Sequence, residues 1–335
     1  MIRSIKINNL GPISKVECSD LGGVNLLIGK NGIGKTQMVK ALYAAINATE
    51  QFKRGIEHRG LSQLLTDKLY RTFLPRKIGD LVKKGESELS FSMKNEKDES
   101  FDFAFGKDTM SQIQNIKSSF SPVDTNSVFI PAKEIISLQS LIIESRSPKF
   151  NLFGFDDTYL DLALALTPVY AEKGNNEFSE VRQLLNRAIG GHVEFNDERK
   201  EWLFKDTSRR EYSIALASEG IKKMSVLDVL LGNYYLSSQS VVIIDEFEAA
   251  LHPQLIANFA KFVILLAQKG IQFFITTHSY AAIKKFYILA HKYDVKLPLL
   301  SFDADGIMQA DLRNGMPDNS IIRESINLYM EELKL

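Results

Sequence analysis

The chain has 335 residues, with 41 lysines and arginines balanced by 41 aspartates and glutamates. A formal net charge of zero excludes a protein whose whole surface coats nucleic acid, because such proteins carry a clear basic excess. Hydrophobic residues make up 44% of the sequence and charged residues 24%, which is ordinary for a globular chain of about two domain equivalents. The apolar runs are too short for a membrane span, and a single cysteine, Cys18, excludes an internal disulfide. We therefore expect a soluble, cytoplasmic protein with no membrane partner.

The first third of the chain reads as β-structure followed by a helix and a hairpin. Residues 24–28 are apolar and bounded by glycines, as a buried strand should be, and an amphipathic helix follows them. Residues 49–85 are irregular and basic and predict neither a helix nor a strand. Alternating runs at 88–93 and 101–105 predict an antiparallel hairpin, and a short strand is expected at 127–130.

The middle and the last third of the chain differ in the order of their predicted helices and strands. Residues 132–190 are predicted to be mainly helical, for example at 160–166 and 181–189. Further extended runs are predicted at 192–195, 202–204 and 212–217. The last third then alternates strands and helices, which favours a parallel sheet with crossover helices. Its predicted elements are strand 241–244, helix 254–267, strand 272–276, helix 281–289 and strand 299–302.

Residues 29–36 fit the pattern G-x-x-x-x-G-K-[ST] at every fixed position. Its glycines let the backbone curl so that successive N–H groups point at phosphate oxygens, and the next helix directs its positive end at the anion. Lys35 is expected to reach the β- and γ-phosphates of ATP, and the Thr36 hydroxyl to ligate Mg²⁺. The residues predicted to contact the nucleotide here are Asn31, Gly32, Ile33, Gly34, Lys35, Thr36 and Gln37.

Two carboxylates follow the apolar run at 241–244. Four buried positions in a row predict a central strand, whose carboxyl end lies beside the phosphate loop in an open α/β sheet. Asp245 is therefore expected to hold Mg²⁺, and Glu246 to accept a proton from the attacking water.

Two further positions complete the predicted site. His278 ends another apolar run and is predicted to sense the γ-phosphate. Ser218 precedes an amphipathic helix; it either contributes to nucleotide binding or only caps that helix.

The chain resembles the ATP-binding-cassette (ABC) ATPases in the order of four features: the phosphate loop, the Ser-x-Gly helix, the Asp-Glu strand and the Thr-His strand. The chain is most similar to their RecF/SMC/OLD-like branch, often called AAA family ATPases in bacteria. Residues 217–220 (Ala-Ser-Glu-Gly) are similar to that branch's loose signature. Residues 245–253 resemble its Asp-Glu-x-Glu-x-x-Leu-His-Pro run, and residues 8–13 its opening hairpin.

The resemblance implies a P-loop NTPase fold of α/β class with an ABC-type head. It implies a mixed or parallel sheet, an antiparallel N-terminal β subdomain and a helical lobe. The expected nucleotide-binding lobe comprises residues 1–130 and 236–335, and the helical, signature-bearing lobe comprises residues 131–235.

The resemblance also implies a mechanism, in which two ATP molecules lie between two copies arranged head to tail. Ser218 and Gly220 of one copy contact the γ-phosphate held by Lys35 of the other, in a homodimer or a higher oligomer. Glu246 then activates water, and His278 stabilises the transferring group. The family's Q-loop glutamine is left unassigned. Its candidates are Gln63, Gln112, Gln114 and Gln139, with Glu134 as a substitute.

The same resemblance is compatible with several biological roles. A machine of the SMC type needs a long coiled coil, and the segment between Lys35 and Ser218 has no heptad pattern. A nuclease of the OLD type needs a Toprim domain, and residues after His278 offer only Asp303 and Asp305 as clustered acids. The leading hypothesis is an ATPase that regulates or senses for a separate effector, a nuclease or toxin, in bacterial anti-phage defence.

The alternative hypothesis is a RecF-like DNA clamp acting in repair or recombination. Basic residues in the stretch 68–84 and three basic pairs are its candidate phosphate contacts. The pairs are Arg209-Arg210, Lys222-Lys223 and Lys284-Lys285. A nucleotide switch that does not hydrolyse ATP is disfavoured by Glu246, and a transporter subunit by the degenerate signature.

Overall fold

A computed structural model describes residues 1–55, 58–121, 125–147, 154–168, 177–303 and 306–335. The strands in these ranges are β1 (Ile2–Leu10), β2 (Ile13–Cys18), β3 (Val24–Gly29), β4 (Glu88–Asn95), β5 (Ser100–Gly106), β6 (Asn115–Ser118), β7 (Val128–Ile130), β8 (Gly191–Asn196), β9 (Glu201–Asp206), β10 (Glu211–Ser213), β11 (Val241–Ile244), β12 (Gln272–Thr277), β13 (Pro298–Asp303) and β14 (Gly306–Asp311). The helices are α1 (Lys35–Arg54), α2 (Leu61–Phe73), α3 (Gln139–Ser145), α4 (Asp157–Ala165), α5 (Ser179–Ile189), α6 (Glu219–Gly232), α7 (Pro253–Gln268), α8 (Tyr280–Tyr293) and α9 (Ser320–Glu332).

The central sheet has six strands in the order β14-β13-β3-β12-β11-β7. Neighbouring strands run parallel from β13 to β7, and β14 is antiparallel at the edge. Every residue of β3, β11 and β12 is buried, as expected for strands covered on both faces. The predicted parallel sheet with crossover helices is confirmed, and the carboxyl ends of β3, β12 and β11 meet at one edge.

A second sheet forms the predicted antiparallel N-terminal subdomain, in the order β2-β1-β4-β5-β6. The predicted hairpin is confirmed as β4 paired antiparallel with β5. One hydrophobic cluster packs this sheet against α1, so the helix that follows the phosphate loop is held on its apolar face. The α/β fold class is confirmed.

The middle of the chain contributes α3, α4, α5 and α6 and a small sheet, β10-β9-β8. Residues 148–153 and 169–176 of the predicted helical region lie outside the described residues. The extended run predicted at 212–217 is shorter, because the strand Glu211–Ser213 is followed by a 3₁₀ turn at Ile214–Leu216. Residues from both expected lobes share one hydrophobic cluster, and the lobe boundaries stay a prediction.

The prediction of irregular structure over 49–85 is wrong in part. The helix α1 continues to Arg54, and α2 follows it with Leu64, Leu65 and Leu69 buried on one face. The basic composition of this stretch made its apolar stripe hard to recognise in the sequence. Lys68 lies among the buried residues of α2, where it is ion-paired rather than solvated.

In the part of the chain that the structure describes, no helix is both long enough and apolar enough to cross a bilayer.

Candidate functional site

The loop between β3 and α1 adopts a conformation that only glycine allows. Gly29 and Gly34 have φ angles of 142° and 110°. A Cβ atom on Gly29 would lie 2.5 Å from the Phe302 carbonyl oxygen, and one on Gly34 would lie 2.5 Å from Ile13 Cγ1. A Cβ on Gly32 would meet nothing within 4 Å, so the middle of the loop is open on its outer side. The glycines thus shape a backbone cradle at the N-terminus of α1.

Lys35 is the first residue of α1 and lies inside this cradle, only 5% exposed. Its Nζ donates hydrogen bonds to the carbonyl oxygens of Gly29 and Lys30, at 2.7 and 2.8 Å. Burial lowers the pKa of Lys35, and nearby carboxylates act against that shift. These carboxylates belong to Glu246, Asp245 and Glu248. The loop therefore holds a buried ammonium group against its own carbonyl oxygens.

The end of β11 is joined to the start of α1 by a chain of hydrogen bonds. The Thr36 hydroxyl donates to the Asp245 carboxylate, with its oxygen 3.0 Å from Oδ1. The Thr276 hydroxyl at the end of β12 donates to the same oxygen at 2.6 Å. Thr276 in turn accepts from the Glu246 backbone N–H at 2.8 Å. Asp245 is 8% exposed, so hydroxyl and carboxylate oxygens, the ligands that Mg²⁺ prefers, converge at a sheltered point.

Glu246 occupies a strained position beside this chain. Its φ is +46°, a left-handed conformation that residues other than glycine rarely adopt. The backbone carbonyl of Glu246 accepts a hydrogen bond from Lys223 Nζ at 3.0 Å. Its side chain is 33% exposed, and Oε1 lies 3.9 Å from Nδ1 of His278. The backbone is therefore fixed while the carboxylate faces the open side of the site.

His278 follows β12 directly, and its side chain is 46% exposed. The predicted phosphate loop, Asp245, Glu246 and His278 are thus gathered at the carboxyl edge of three neighbouring strands, the place where open α/β sheets collect ligands.

Residues 24–284 match a family described as "AAA domain, putative AbiEii toxin, Type IV TA system". The chain belongs to this family of AAA domains. No curated protein matches the chain. The predicted membership of the AAA family is confirmed.

Solved structures of SMC head domains share the fold of this AAA domain. The SmcHead bound to the C-winged helix domain of ScpA is 15% identical, with a TM-score of 0.57, and the match covers 93% of this chain and 98% of that chain. The SMC head domain from Thermotoga maritima is 12% identical, with a TM-score of 0.51 and coverage of 92% and 98%. An Smc head with an extended coiled coil, bound to the C-terminal domain of ScpA derived from Pyrococcus furiosus, is 13% identical, with a TM-score of 0.55 and coverage of 100% and 99%.

Ser218 is the N-cap of α6, and its hydroxyl accepts a hydrogen bond from the Ile221 N–H at 3.4 Å. The side chain is exposed, whereas Gly220 is buried, and a Cβ on Gly220 would lie 2.9 Å from Leu255 Cδ1. Within one copy of the AAA domain, Ser218 therefore fulfils the capping role, and its exposed position also leaves it accessible to another molecule.

The remaining residues that are predicted to contact the nucleotide lie around the cradle. Asn31 and Gly32 are exposed, and Ile33 is half-buried at its rim. Gln37 extends toward the turn between β1 and β2, where a Cβ on Gly11 would lie 1.8 Å from Gln37 Oε1.

The structure narrows the candidates for the unassigned Q-loop residue. Gln139 is buried, accepting from the Trp202 indole and donating to the Ala163 carbonyl. Glu134 instead follows β7, the strand next to β11, and its carboxylate accepts hydrogen bonds from Ser137. Glu134 is the candidate that follows a strand of the central sheet.

Four residues of the site were not predicted from the sequence to have a role in it: Glu248, Thr276, Thr277 and Lys223. Lys223 is 8% exposed and also donates to the Ala132 carbonyl at 3.2 Å. Burial lowers the pKa of Lys223 to about 8, against the raising effect of nearby carboxylates, chiefly that of Glu248. The two threonines before His278 could have indicated these contacts. Successive strand residues point to opposite faces of the sheet, so the two hydroxyls can hydrogen-bond to two different acids.

The prediction that basic residues form a DNA-contacting surface is wrong for three lysines. Lys68 is buried and donates to Asp161 Oδ2 at 2.6 Å. Lys222 and Lys223 are each 8% exposed, and Lys222 is paired with Glu219. The ammonium groups of these lysines are buried and have partners within the AAA domain, so they are not placed to contact DNA.

Proposed function

We propose that this AAA domain binds ATP with Mg²⁺ and hydrolyses it between two copies of the chain. The observation that carries the proposal is the contact between Thr36 and Asp245, with Lys35 and Glu246 as their immediate neighbours in sequence. A hydroxyl, a carboxylate and an ammonium group meet at a helix N-terminus, which is the combination that phosphate and a divalent cation require.

The residues present fit both ATP and Mg²⁺. The open backbone around Gly32 offers N–H groups for phosphate oxygens, and Lys35 exchanges its carbonyl partners for the β- and γ-phosphates. Thr36 and Asp245 would hold Mg²⁺, which neutralises phosphate charge when bound. The remaining nucleotide contacts that we propose are Asn31, Ile33, Gly34 and Gln37.

Glu246 and His278 are the proposed catalytic pair. Glu246 accepts a proton from the attacking water, because its carboxylate is partly exposed while its backbone is held by Thr276 and Lys223. His278 donates toward the transferring phosphoryl group from the neighbouring strand.

The second copy is proposed to complete each site. Ser218 is exposed at the N-terminus of α6, whose backbone N–H groups suit an anion, and Gly220 lies in the first turn of the same helix. The likeness of the fold to SMC heads and the family resemblance favour a head-to-tail dimer, in which Ser218 and Gly220 contact the γ-phosphate bound to the partner.

We further propose that the dimer regulates a separate effector protein, a nuclease or toxin, in bacterial anti-phage defence. The family description names a toxin and a toxin–antitoxin system. Two of the structurally similar SMC heads are bound to a domain of ScpA, which supports a protein partner on this fold. We expect the protein to act in the cytoplasm.

The ATPase proposal is tested by phosphate release with and without Mg²⁺. Asp245→Asn removes a charge that would hold the cation while preserving the size of the side chain, so turnover should fall by about 100-fold and require more Mg²⁺. Glu86→Gln, an exposed substitution of the same chemical kind, should leave turnover unchanged. Equal turnover in wild type and Asp245→Asn contradicts the proposal.

The effector is tested by co-expression with neighbouring genes. A gene product that copurifies with this protein, and whose toxicity or nuclease activity changes when Lys35 is replaced, supports regulation by ATP. The absence of any such gene product contradicts the regulatory role without touching the ATPase proposal.

A DNA clamp is the second candidate function, favoured by basic side chains that remain at the surface. Arg209 and Arg210 are exposed in the turn between β9 and β10, and Lys284 is exposed on α8. Filter binding across a salt titration, with and without ATP, decides between the two functions. Affinity for DNA that depends on ATP and falls steeply with salt supports the clamp.

A further inference from the structure

We propose that Glu248 is a positioning residue for His278, fixing the tautomer and the direction of its imidazole ring. This inference rests on the proposed ATPase function only for its effect on turnover; the interaction between the two side chains can be measured independently.

The Glu248 carboxylate is anchored to the same chain segment that carries His278. Its Oε1 accepts a hydrogen bond from the Thr277 hydroxyl at 2.7 Å and one from the backbone N–H of His278 at 2.9 Å. The same oxygen lies 3.5 Å from Nδ1 of the His278 ring. A single carboxylate oxygen therefore faces the backbone, the preceding side chain and the ring of one dipeptide.

Glu246 also approaches the ring, but its environment differs. Its Oε1 lies farther from His278 Nδ1, at 3.9 Å, and its side chain is 33% exposed, compared with 7% for Glu248. A proton acceptor for water has to face solvent or substrate, whereas a group that orients a ring has to be fixed. The structure thus separates the roles of two acids that are two residues apart.

Packing alone does not account for Glu248. Its second carboxylate oxygen, Oε2, is buried and has no hydrogen-bond partner among the residues that the structure describes. A buried carboxylate oxygen without a partner costs free energy, which favours a role for the charge beyond folding. The ammonium groups of Lys223 and Lys35 both interact electrostatically with Glu248.

The arrangement has a chemical consequence for His278. A carboxylate facing Nδ1 favours a proton on that nitrogen, so Nε2 is the nitrogen that faces phosphate, and it donates there when the ring carries its second proton. Thr277 and the His278 N–H hold the carboxylate in place, which restricts rotation of the ring. Without Glu248, both the tautomer and the ring direction become free to vary.

The first experiment is a double-mutant cycle on ATP turnover by Glu248→Ala, His278→Ala and the combined variant. We expect Glu248→Ala to lower kcat by about 10- to 100-fold with little change in KM, and the combined variant to be no slower than His278→Ala. Glu248→Gln keeps an oxygen for Thr277 and the N–H, and should recover part of the loss. Losses that multiply in the combined variant overturn the inference.

The second experiment reads the tautomer directly by NMR of ¹⁵N-histidine-labelled protein. With five histidines in the chain, the His278 signal is assigned by its loss in His278→Ala. We expect a proton on Nδ1 in the wild type and a mixture of tautomers in Glu248→Ala or, if that variant does not fold, in Glu248→Gln. A wild-type ring protonated only on Nε2 overturns the inference, even if turnover is normal. An inactive wild type with the expected tautomer contradicts the proposed ATPase function alone.

Discussion

Thr36 Oγ1 lies 3.0 Å from Asp245 Oδ1, although the two residues are 209 positions apart in sequence. The contact joins the first turn of α1 to the carboxyl end of β11 across the strand order β3-β12-β11. Thr276, on the strand between them, donates to the same carboxylate oxygen at 2.6 Å. The start of α1 and the end of β12 thus converge on one carboxylate, which follows β11 beside the phosphate loop.

The first prediction concerns the two lysines of the loop. Lys35→Ala should weaken ATP binding by about 100-fold or more, because it removes the ammonium, buried in the cradle, that we propose makes charge-assisted hydrogen bonds with phosphate. Lys30→Ala is the matched control, since the side chain of Lys30 is exposed and should contribute little. Calorimetric titration with ATP measures both. Similar losses in the two variants argue against the assigned role of Lys35.

The second prediction concerns the proposed general base. Glu246→Gln should lower kcat by about 100-fold or more, because the amide cannot accept the proton from water. ATP binding should persist, so the variant should accumulate as an ATP-bound dimer, visible by light scattering after size-exclusion chromatography. Unchanged turnover in Glu246→Gln means that another group is the base.

The sequence was sufficient to place candidate site residues that lie in a contiguous motif or at the end of an apolar run. The phosphate loop, Asp245, Glu246 and His278 could be placed together because parallel strands share one carboxyl edge. The contacts of Glu248 and Lys223 could not, because they depend on the register of β11 against β12 and on where α6 packs. The helix α2 was missed because basic side chains mask its apolar stripe until the burial of Lys68 is known.

The third prediction concerns the buried ion pairs of Lys68. Its ammonium lies 2.6 Å from Asp161 and 3.4 Å from Asp157, and its side chain is only 7% exposed. Lys68→Ala should lower the free energy of unfolding by about 3 kcal/mol, because it leaves two carboxylates in a sheltered position without this partner. Lys84→Ala, an exposed lysine from the same basic stretch, should change it by less than about 0.5 kcal/mol. Urea denaturation measures both, and equal effects would disprove the buried role of Lys68.

The fourth prediction concerns pH and Glu50 on α1. Burial raises the pKa of Glu50 to about 7, while hydrogen bonds from the Ser127 N–H and hydroxyl act in the opposite direction. Because the folded state binds this proton more tightly than the unfolded chain, Glu50 reduces stability as pH rises from its ordinary pKa of 4.5 toward 7.

Glu50→Gln does not titrate, so its stability relative to wild type should increase by about 2 to 3 kcal/mol between about pH 4 and about pH 8. Urea denaturation at both pH values measures the difference. The exposed substitution Glu86→Gln should show no such trend. A difference between Glu50→Gln and wild type that is constant with pH contradicts the raised pKa.

The central claim is that Ser218 of one copy completes the phosphate site of another. Two variants that each add one cysteine, Lys30→Cys and Ser218→Cys, test it when each is placed in the Glu246→Gln background. The natural Cys18 is only 1% exposed, and burial raises the pKa of its thiol to about 12, so it should not react.

The decisive measurement mixes the two variants with a short bis-maleimide and follows covalent dimers on a denaturing gel. The account predicts a covalent dimer that forms only in the mixture and only with ATP and Mg²⁺, because Lys30 and Ser218 then face each other across the interface. Cross-linking that is absent with ATP, or equally strong without it, contradicts the shared site.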